Sequence, residues 1–233
     1  DYGRSRGLGD VYKRQLVGAE DGASSEAVGF GYQMGIGLST SFTGEDSLDV
    51  AIDIGDGVSG NLAFDDTSDV LTLDGLTYTF PVGGATVMVG DSTDISAVYT
   101  GACAYSSFTD YMGNCGTGST VGIGGVTDGA TAAMSYAFDS GFSLAGGVSS
   151  TTASILTGDS ANSDLFGIEA AYTADSFGVS VAYSDAEGTT GWGINGMYAF
   201  DAVTISAGVE SVDTGTTAEG CLLYTSPSPR DLP

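Results

Sequence analysis

The chain has 233 residues, of which 30 are acidic and five are basic, so its formal net charge is −25 at pH 7. Histidine is absent, and the basic residues all lie near the chain ends, at Arg4, Arg6, Lys13, Arg14 and Arg230. With no basic side chain in between, the sequence excludes nucleic-acid binding, a P-loop and histidine-dependent chemistry, and with no apolar run near 18 residues it excludes transmembrane helices.

The two ends of the chain differ from the rest in a second respect. Residues 5–15 can be encoded by DNA whose reverse complement, read one base in, translates to CLLYTSPSPR, the sequence that starts at Cys221. This complementarity is typical of a translated sequencing adapter, the alternative being a genuine low-complexity tail. We therefore expect residues 1–15 and 221–233 to be non-native. Residues 16–220 are then a protein fragment with 27 acidic residues and no basic residue.

The clearest predicted strand runs from Val28 to Leu38. Every second residue in it is large and apolar, and the alternate positions are small or polar. Side chains point alternately to the two faces of a strand, so this segment has one apolar and one polar face. About 10 residues are enough for a tilted strand to cross a bilayer.

Nine further segments with this alternation follow along the chain, at about 48–54, 70–80, 85–90, 134–138, 142–148, 166–172, 177–183, 192–200 and 203–209. Turn sequences separate them, so they predict an all-β, antiparallel, up-and-down meander of about ten strands. Its apolar face includes Met34, Ile52, Val181 and Ile205.

The connections between these segments alternate in length. Short ones at 41–46, 81–84, 139–141, 174–176 and 201–202 are interleaved with long ones at 56–69, 91–129, 149–163 and 185–190. Aromatic residues cluster beside the short turns, as the interfacial girdle of an outer-membrane barrel would. We therefore predict a transmembrane β-barrel. The alternative is a secreted sandwich, whose strands also alternate.

Two segments resemble a known family. Thr40–Leu48 reads TSFTGEDSL, and Leu73–Gly83 reads LDGLTYTFPVG. In this order they resemble motifs of cyanobacterial outer-membrane porins, also called iron-uptake porins. The resemblance implies an outer-membrane barrel of about 16 strands, of which this chain holds about ten. Separately, a homotrimer is the oligomer that the full-length protein could form. Where that family has basic residues after the first motif, this chain has Asp49, Val50 and Ala51.

Four residues on the polar faces of the predicted strands are candidates to line a pore: Asp49, Asp53, Glu169 and Asn195. Carboxylates in a narrow lumen attract cations, because the low-dielectric wall focuses their potential. We therefore expect a cation-preferring channel for inorganic ions and small hydrophilic solutes, in contact with membrane lipid and without a cofactor. Most other carboxylates, such as Glu45, Asp46 and Asp56, fall in connections, where we expect them to be solvated charge.

The segment 91–129 is the candidate constriction loop, because connections this long are usually functional or disordered. Its candidate pore-narrowing residues are Tyr105, Asp110 and Tyr111. Cys103 and Cys115 could close a disulfide that stabilises by about 3 kcal/mol in the chain-entropy model, the alternative being two free buried thiols. The sequence does not fix whether this loop folds inward.

The abundance of acidic residues suggests two other kinds of function. The carboxylate pairs Glu20–Asp21 and Asp65–Asp66 lie in Gly/Ser-rich sequence that offers no apolar setting to raise a pKa, so glycosidase chemistry is not predicted. We expect no enzyme activity. The remaining alternative is a secreted or surface-attached, adhesin-like acidic β-sandwich that Ca²⁺ bound to loop carboxylates could stabilise.

Overall fold

The computed structural model describes residues 10–19, 28–56, 68–100, 129–153, 155–156, 164–186, 189–200, 203–213 and 217–227. Twelve β-strands and one short 3₁₀ helix, η1 (Ile95–Val98), lie within these ranges. The strands are β1 (Asp10–Ala19), β2 (Val28–Thr40), β3 (Ser47–Asp56), β4 (Thr72–Val82), β5 (Ala85–Thr93), β6 (Gly129–Ala137), β7 (Phe142–Ser150), β8 (Asp164–Thr173), β9 (Phe177–Ala186), β10 (Thr189–Ala199), β11 (Val203–Asp213) and β12 (Thr217–Pro227). No helix in the described ranges is long and apolar enough to cross a bilayer.

The predicted fold class, all-β with antiparallel up-and-down strands, is confirmed. Each of the ten predicted strands is present, as β2 to β11. The strands β1 and β12 are additional, and they lie largely in the segments that we interpret as adapter-derived. Backbone pairing does not test the origin of a segment, so that interpretation stays a prediction.

One predicted connection is wrong. The sequence at 185–190 was expected to form a long loop, but β9 continues to Ala186 and β10 begins at Thr189, with these two residues paired. The ladder extends past the last large apolar side chain, Tyr183, because backbone hydrogen bonding requires no apolar side chain. The short and long connections therefore do not alternate strictly at this point.

The chain divides into two compact units, Asp1–Tyr78 and Thr79–Pro233. In the first unit, β2 pairs antiparallel with β1 and with β3. In the second unit, each strand from β5 to β11 pairs antiparallel with the next one along the chain. The turn glycines Gly44, Gly83 and Gly141 have positive φ angles, a conformation that favours glycine.

The apolar cluster of the second unit does not lie between two sheets. It surrounds Ile95 of η1, which is fully buried, and it consists of small or medium-sized side chains from four strands: Met88, Ala133, Leu165 and Ala186. Asp94 starts η1 by accepting a hydrogen bond at its Oδ1 atom from the Ser96 backbone N–H, at 2.7 Å.

Candidate functional site

In the second unit, large apolar side chains are exposed and polar side chains are buried, which is the reverse of a water-soluble sheet. Ile168 is 63% exposed and Val181 is 48% exposed, whereas their neighbours Glu169 and Ser180 are buried. We call the exposed row, which recurs on β6 to β11, the apolar face, and the row between its members the polar face. Members of the apolar face include Met134, Leu144, Phe166, Ile168, Val181, Trp192, Ile194 and Ile205.

The first unit has the same arrangement on β2 and β3. The ladder pairs Ile36 with Ile52 on the apolar face and Gly35 with Asp53 on the polar face. Asp53 is 4% exposed, whereas Ile36 and Ile52 are half-buried. A charged side chain is therefore more buried than the apolar residues beside it.

The candidate pore residues Asp49 and Asp53 lie on one face of β3. Asp53 Oδ2 accepts a hydrogen bond from Gln33 Nε2 at 3.3 Å, and Asp49 Oδ2 accepts one from Ser47 Oγ at 2.6 Å. Opposite them, β2 contributes small residues, since Asp53 pairs with Gly35 and Asp49 pairs with Ser39.

The other two candidates, Glu169 on β8 and Asn195 on β10, lie on the polar face of the second unit and are both buried. Strand β9 lies between their strands, which are about 10 Å apart at normal strand spacing, and the register offsets the two residues by a further two positions along the strands. Glu169 Oε2 accepts a hydrogen bond from the Thr100 backbone N–H at 2.9 Å. Asn195 fills the space beside Gly208, where any added Cβ would overlap its amide group.

The start of the long segment after β5 folds onto this polar face. Thr131 Oγ1 donates to the Thr93 carbonyl at 2.8 Å, and Ser143 Oγ donates to Thr100 Oγ1 at 2.9 Å. Ile95 packs directly over Gly167. Residues 93–100 therefore lie against the polar face of β6 to β8. The sequence did not fix on which face of the sheet the segment folds, and for this stretch it is the polar face. The residues Tyr105, Asp110, Tyr111, Cys103 and Cys115 lie outside the described residues.

Tyr99 belongs to this inward stretch and was not among the predicted site residues. Burial raises the pKa of its phenol, and the carboxylates of Glu169 and Asp94 raise it further. The phenol is therefore neutral at physiological pH. A sequence signal was available in Gly167, because a glycine within a strand often marks the close approach of another segment.

Asp46, in the β2–β3 turn, was also missed, since it was expected to be solvated charge. It is buried, and its Oδ1 atom accepts hydrogen bonds from Ser41 Oγ (2.6 Å), Thr43 N (2.7 Å), Thr43 Oγ1 (2.7 Å) and Phe42 N (3.0 Å). Its Oδ2 atom accepts one from the Tyr78 hydroxyl at 2.7 Å. The donors, Ser41 foremost, hold the pKa of Asp46 well below its usual range. This carboxylate organises the turn.

Neither a protein-family model nor a curated protein sequence matches the chain. Among solved structures, a mutant of the Rh. blastica porin aligns with 95% of this chain and 90% of its own, at 17% identity and a TM-score of 0.48. A loop-deletion mutant of OmpT, an outer membrane protein of Vibrio cholerae, aligns with 93% of this chain and 87% of its own, at 16% identity and a TM-score of 0.47. Because both TM-scores lie below 0.5, the functional assignment rests on this chain's own residues.

Proposed function

We propose that this chain is part of an outer-membrane porin barrel, a passive channel for ions and small hydrophilic solutes that performs no covalent chemistry. The observation that carries the proposal is the inversion of the two faces. In a soluble sandwich the large apolar side chains are packed against a second sheet. Here they form an exposed surface on β6 to β11, while carboxylates, amides and hydroxyls are buried.

A bilayer is the environment that suits such a surface. The strands are nine to 13 residues long, which is sufficient to cross the hydrocarbon region when tilted. Their backbone groups are paired in antiparallel ladders, as a lipid environment requires. The adhesin-like alternative would leave the apolar face in water, which is unfavourable for a contiguous patch.

Aromatic contacts beside the short turns support the same orientation. The rings of Phe142 and Tyr172 lie 4.7 Å apart, and those of Tyr172 and Phe177 lie 5.7 Å apart. A similar pair, Tyr198 and Phe200, lies at the β10–β11 turn, with a ring separation of 4.8 Å. Aromatic belts of this kind occur at the interfacial level of membrane barrels.

The polar face supports a preference for cations, with Asp49, Asp53 and Glu169 as wall charges and Asn195 as a neutral wall residue. A carboxylate about 5 Å from a passing ion contributes about 0.8 kcal/mol in water before salt screening, or roughly a fourfold change in local cation concentration. Because the same potential lowers the local anion concentration by about the same factor, Asp49→Asn should reduce the cation-to-anion permeability ratio by at most about 16-fold, and by less after salt screening. The control is Glu45→Gln, an exposed carboxylate of the β2–β3 turn.

Reversal potentials in a salt gradient across a planar bilayer measure this ratio. The proposal expects cation preference in the complete barrel that contains this chain and a smaller ratio in its Asp49→Asn variant. Anion preference in the complete barrel, or an equal loss in Glu45→Gln, would contradict it.

The segment 91–129 is proposed as the constriction loop, and the inward position of residues 93–100 supports this. The finer assignments remain predictions: pore-narrowing roles for Tyr105, Asp110 and Tyr111, and a disulfide between Cys103 and Cys115. Mass spectrometry under non-reducing conditions should find these two cysteines bridged. Two thiols that can be alkylated would contradict the bridge.

The motif resemblance supports membership of the cyanobacterial iron-uptake porins, with residues 16–220 as part of a single-chain barrel of about 16 strands. The full-length barrels would then assemble as a homotrimer. Sequencing the genomic locus tests this proposal. It expects further barrel strands in place of residues 1–15 and 221–233. A genomic reading frame that encodes those two segments would contradict it.

A further inference from the structure

A groove crosses the apolar face of the second unit over β6 to β9. Gly146 is directly opposite Met134 in one ladder and Ile168 in the other, so its missing side chain leaves a gap in a row of large apolar residues. The gap has a volume of about 610 Å³. A second depression of about 390 Å³ shares Leu144 and Ile168 with it and includes Ala170. We call the two together the β6–β9 groove.

One end of the β6–β9 groove is polar. Asp185, next to the last residue of β9, lines it beside Tyr183. In the ladders Asp185 is opposite Thr190 of β10, and Thr190 is opposite Asp213 of β11. Directly opposed residues share a face, so these three form a polar row at the edge of the apolar face. The groove therefore has apolar walls and a carboxylate at one end.

A lipid acyl chain is the occupant that the surroundings of the groove indicate. This step rests on the proposed function, in which a bilayer covers the apolar face. A methylene chain is narrow and flexible enough to enter a gap one side chain wide, and its dispersion contacts with the apolar walls favour it there. Asp185 lies near the end of its strand, where a spanning strand leaves the hydrocarbon region and the lipid headgroups begin.

The charge at the end of the groove selects the headgroup. Residues 16–220 contain no basic side chain, so this part of the chain cannot form an ion pair with a lipid phosphate. The carboxylates of Asp185 and Asp213 repel an anionic headgroup and attract an ammonium group. We propose that the β6–β9 groove binds an acyl chain of a phospholipid whose headgroup carries an ammonium group, with Asp185 beside that group.

Native mass spectrometry of the complete barrel that contains this chain tests the headgroup preference. The probes are phosphatidylethanolamine and phosphatidylglycerol with identical acyl chains, added in detergent. A carboxylate about 5 Å from an ammonium group raises its local concentration at most about fourfold in water, so the ethanolamine lipid should bind about two- to fourfold more tightly at the tightest position. Asp185→Asn should reduce that preference.

The matched control is Asp175→Asn, which removes the same charge from an exposed residue of the β8–β9 turn, at the other end of the strands. It should keep the preference for the ethanolamine lipid, because the net charge changes equally in the two variants. Equal binding of both lipids by the unmodified barrel, or an equal loss of preference in Asp185→Asn and Asp175→Asn, would overturn the proposal.

A second pair of variants locates the acyl chain. Ala170 is exposed on the apolar face, so Ala170→Leu should narrow the groove without disturbing the sheet, and both lipids should lose their tightest position. Ala207→Leu makes the same change at an exposed alanine of β11 outside the groove and should leave binding unchanged. Unchanged lipid binding in Ala170→Leu would overturn the proposal. A lower oligomeric mass in its place would also overturn it, since a second copy would then cover the groove.

Quenching of Trp192 by lipids with brominated acyl chains separates this proposal from the proposed function. The contribution of Trp192 is obtained by subtracting the fluorescence of a Trp192→Phe barrel. Quenching that persists while the two headgroups bind equally would contradict only the groove. Absence of quenching would contradict the bilayer contact on which the groove depends.

Discussion

Gly167→Ala tests the inward position of η1 more directly than any other single substitution. An added Cβ atom would overlap the side chain of Ile95 and would lie 2.6 Å from Tyr99 Oη. Ile95 is fully buried, so it cannot yield without leaving its cluster. Overpacking of this kind costs about 1–3 kcal/mol. If that cost falls on the docked state, the docking equilibrium of η1 shifts about 5- to 150-fold.

The assay is hydrogen exchange of the Thr100 amide, whose protection depends on its bond to Glu169. In Gly167→Ala the protection should fall by the factor given above, while amides in the β10–β11 ladder should keep theirs. Gly196→Ala is the matched control, because its added Cβ would meet only the Gly178 carbonyl oxygen, at an ordinary 3.6 Å. Unchanged Thr100 protection in Gly167→Ala would refute the docked position of η1.

Three further substitutions test other parts of the structure. Because the folded-state pKa of Asp46 lies below its ordinary value of 3.8, the stability it contributes is present above that pH and is lost as the pH falls below it. Urea titrations from about pH 4 to about pH 2 should therefore show that the free energy of unfolding falls more steeply in the unmodified chain than in Asp46→Asn. The control, Glu45→Gln, should fall as steeply as the unmodified chain. Val181→Arg should reduce folding stability in lipid vesicles by about 2–4 kcal/mol if it lies near the bilayer midplane, whereas Val181→Leu should be nearly neutral; equal stability of the two would count against lipid contact. Gly141→Ala should lower the free energy of unfolding, measured by urea titration, more than Gly44→Ala does. Both glycines have positive φ, but only the Cβ at Gly141 would meet a backbone oxygen, at 2.5 Å; equal losses of stability would contradict this geometry.

Much of the fold follows from one local rule. A strand places alternate residues on opposite faces, so the period-two pattern of segments such as 177–183 predicted both the strand and its division into two faces. The ten predicted strands are present for this reason. Their ends were less predictable, as at Ala186 and Thr189, because the ladder continues wherever backbone groups can pair.

The site was predictable in part. Asp53, Glu169 and Asn195 were assigned to the polar face from strand position alone, and they are buried there. The docking of η1 was predictable only in part: Gly167 indicates the close approach of another segment, but not which one, because Tyr99 lies across a long stretch of sequence from it. Asp46 was missed for a different reason: four of its five hydrogen bonds come from Ser41, Phe42 and Thr43 in its own turn, and only the donor Tyr78 is remote, at 32 residues. A turn sequence alone does not show that these donors converge on one carboxylate.

In the proposed barrel, lipid covers the apolar face, and the single tryptophan of the chain, Trp192, reports on this contact without any substitution. Its side chain is on the apolar face of β10 and is 43% exposed. In vesicles whose acyl chains carry bromine, we expect strong quenching of Trp192 fluorescence and little quenching by aqueous iodide. Quenching by iodide with no response to brominated lipid would contradict it.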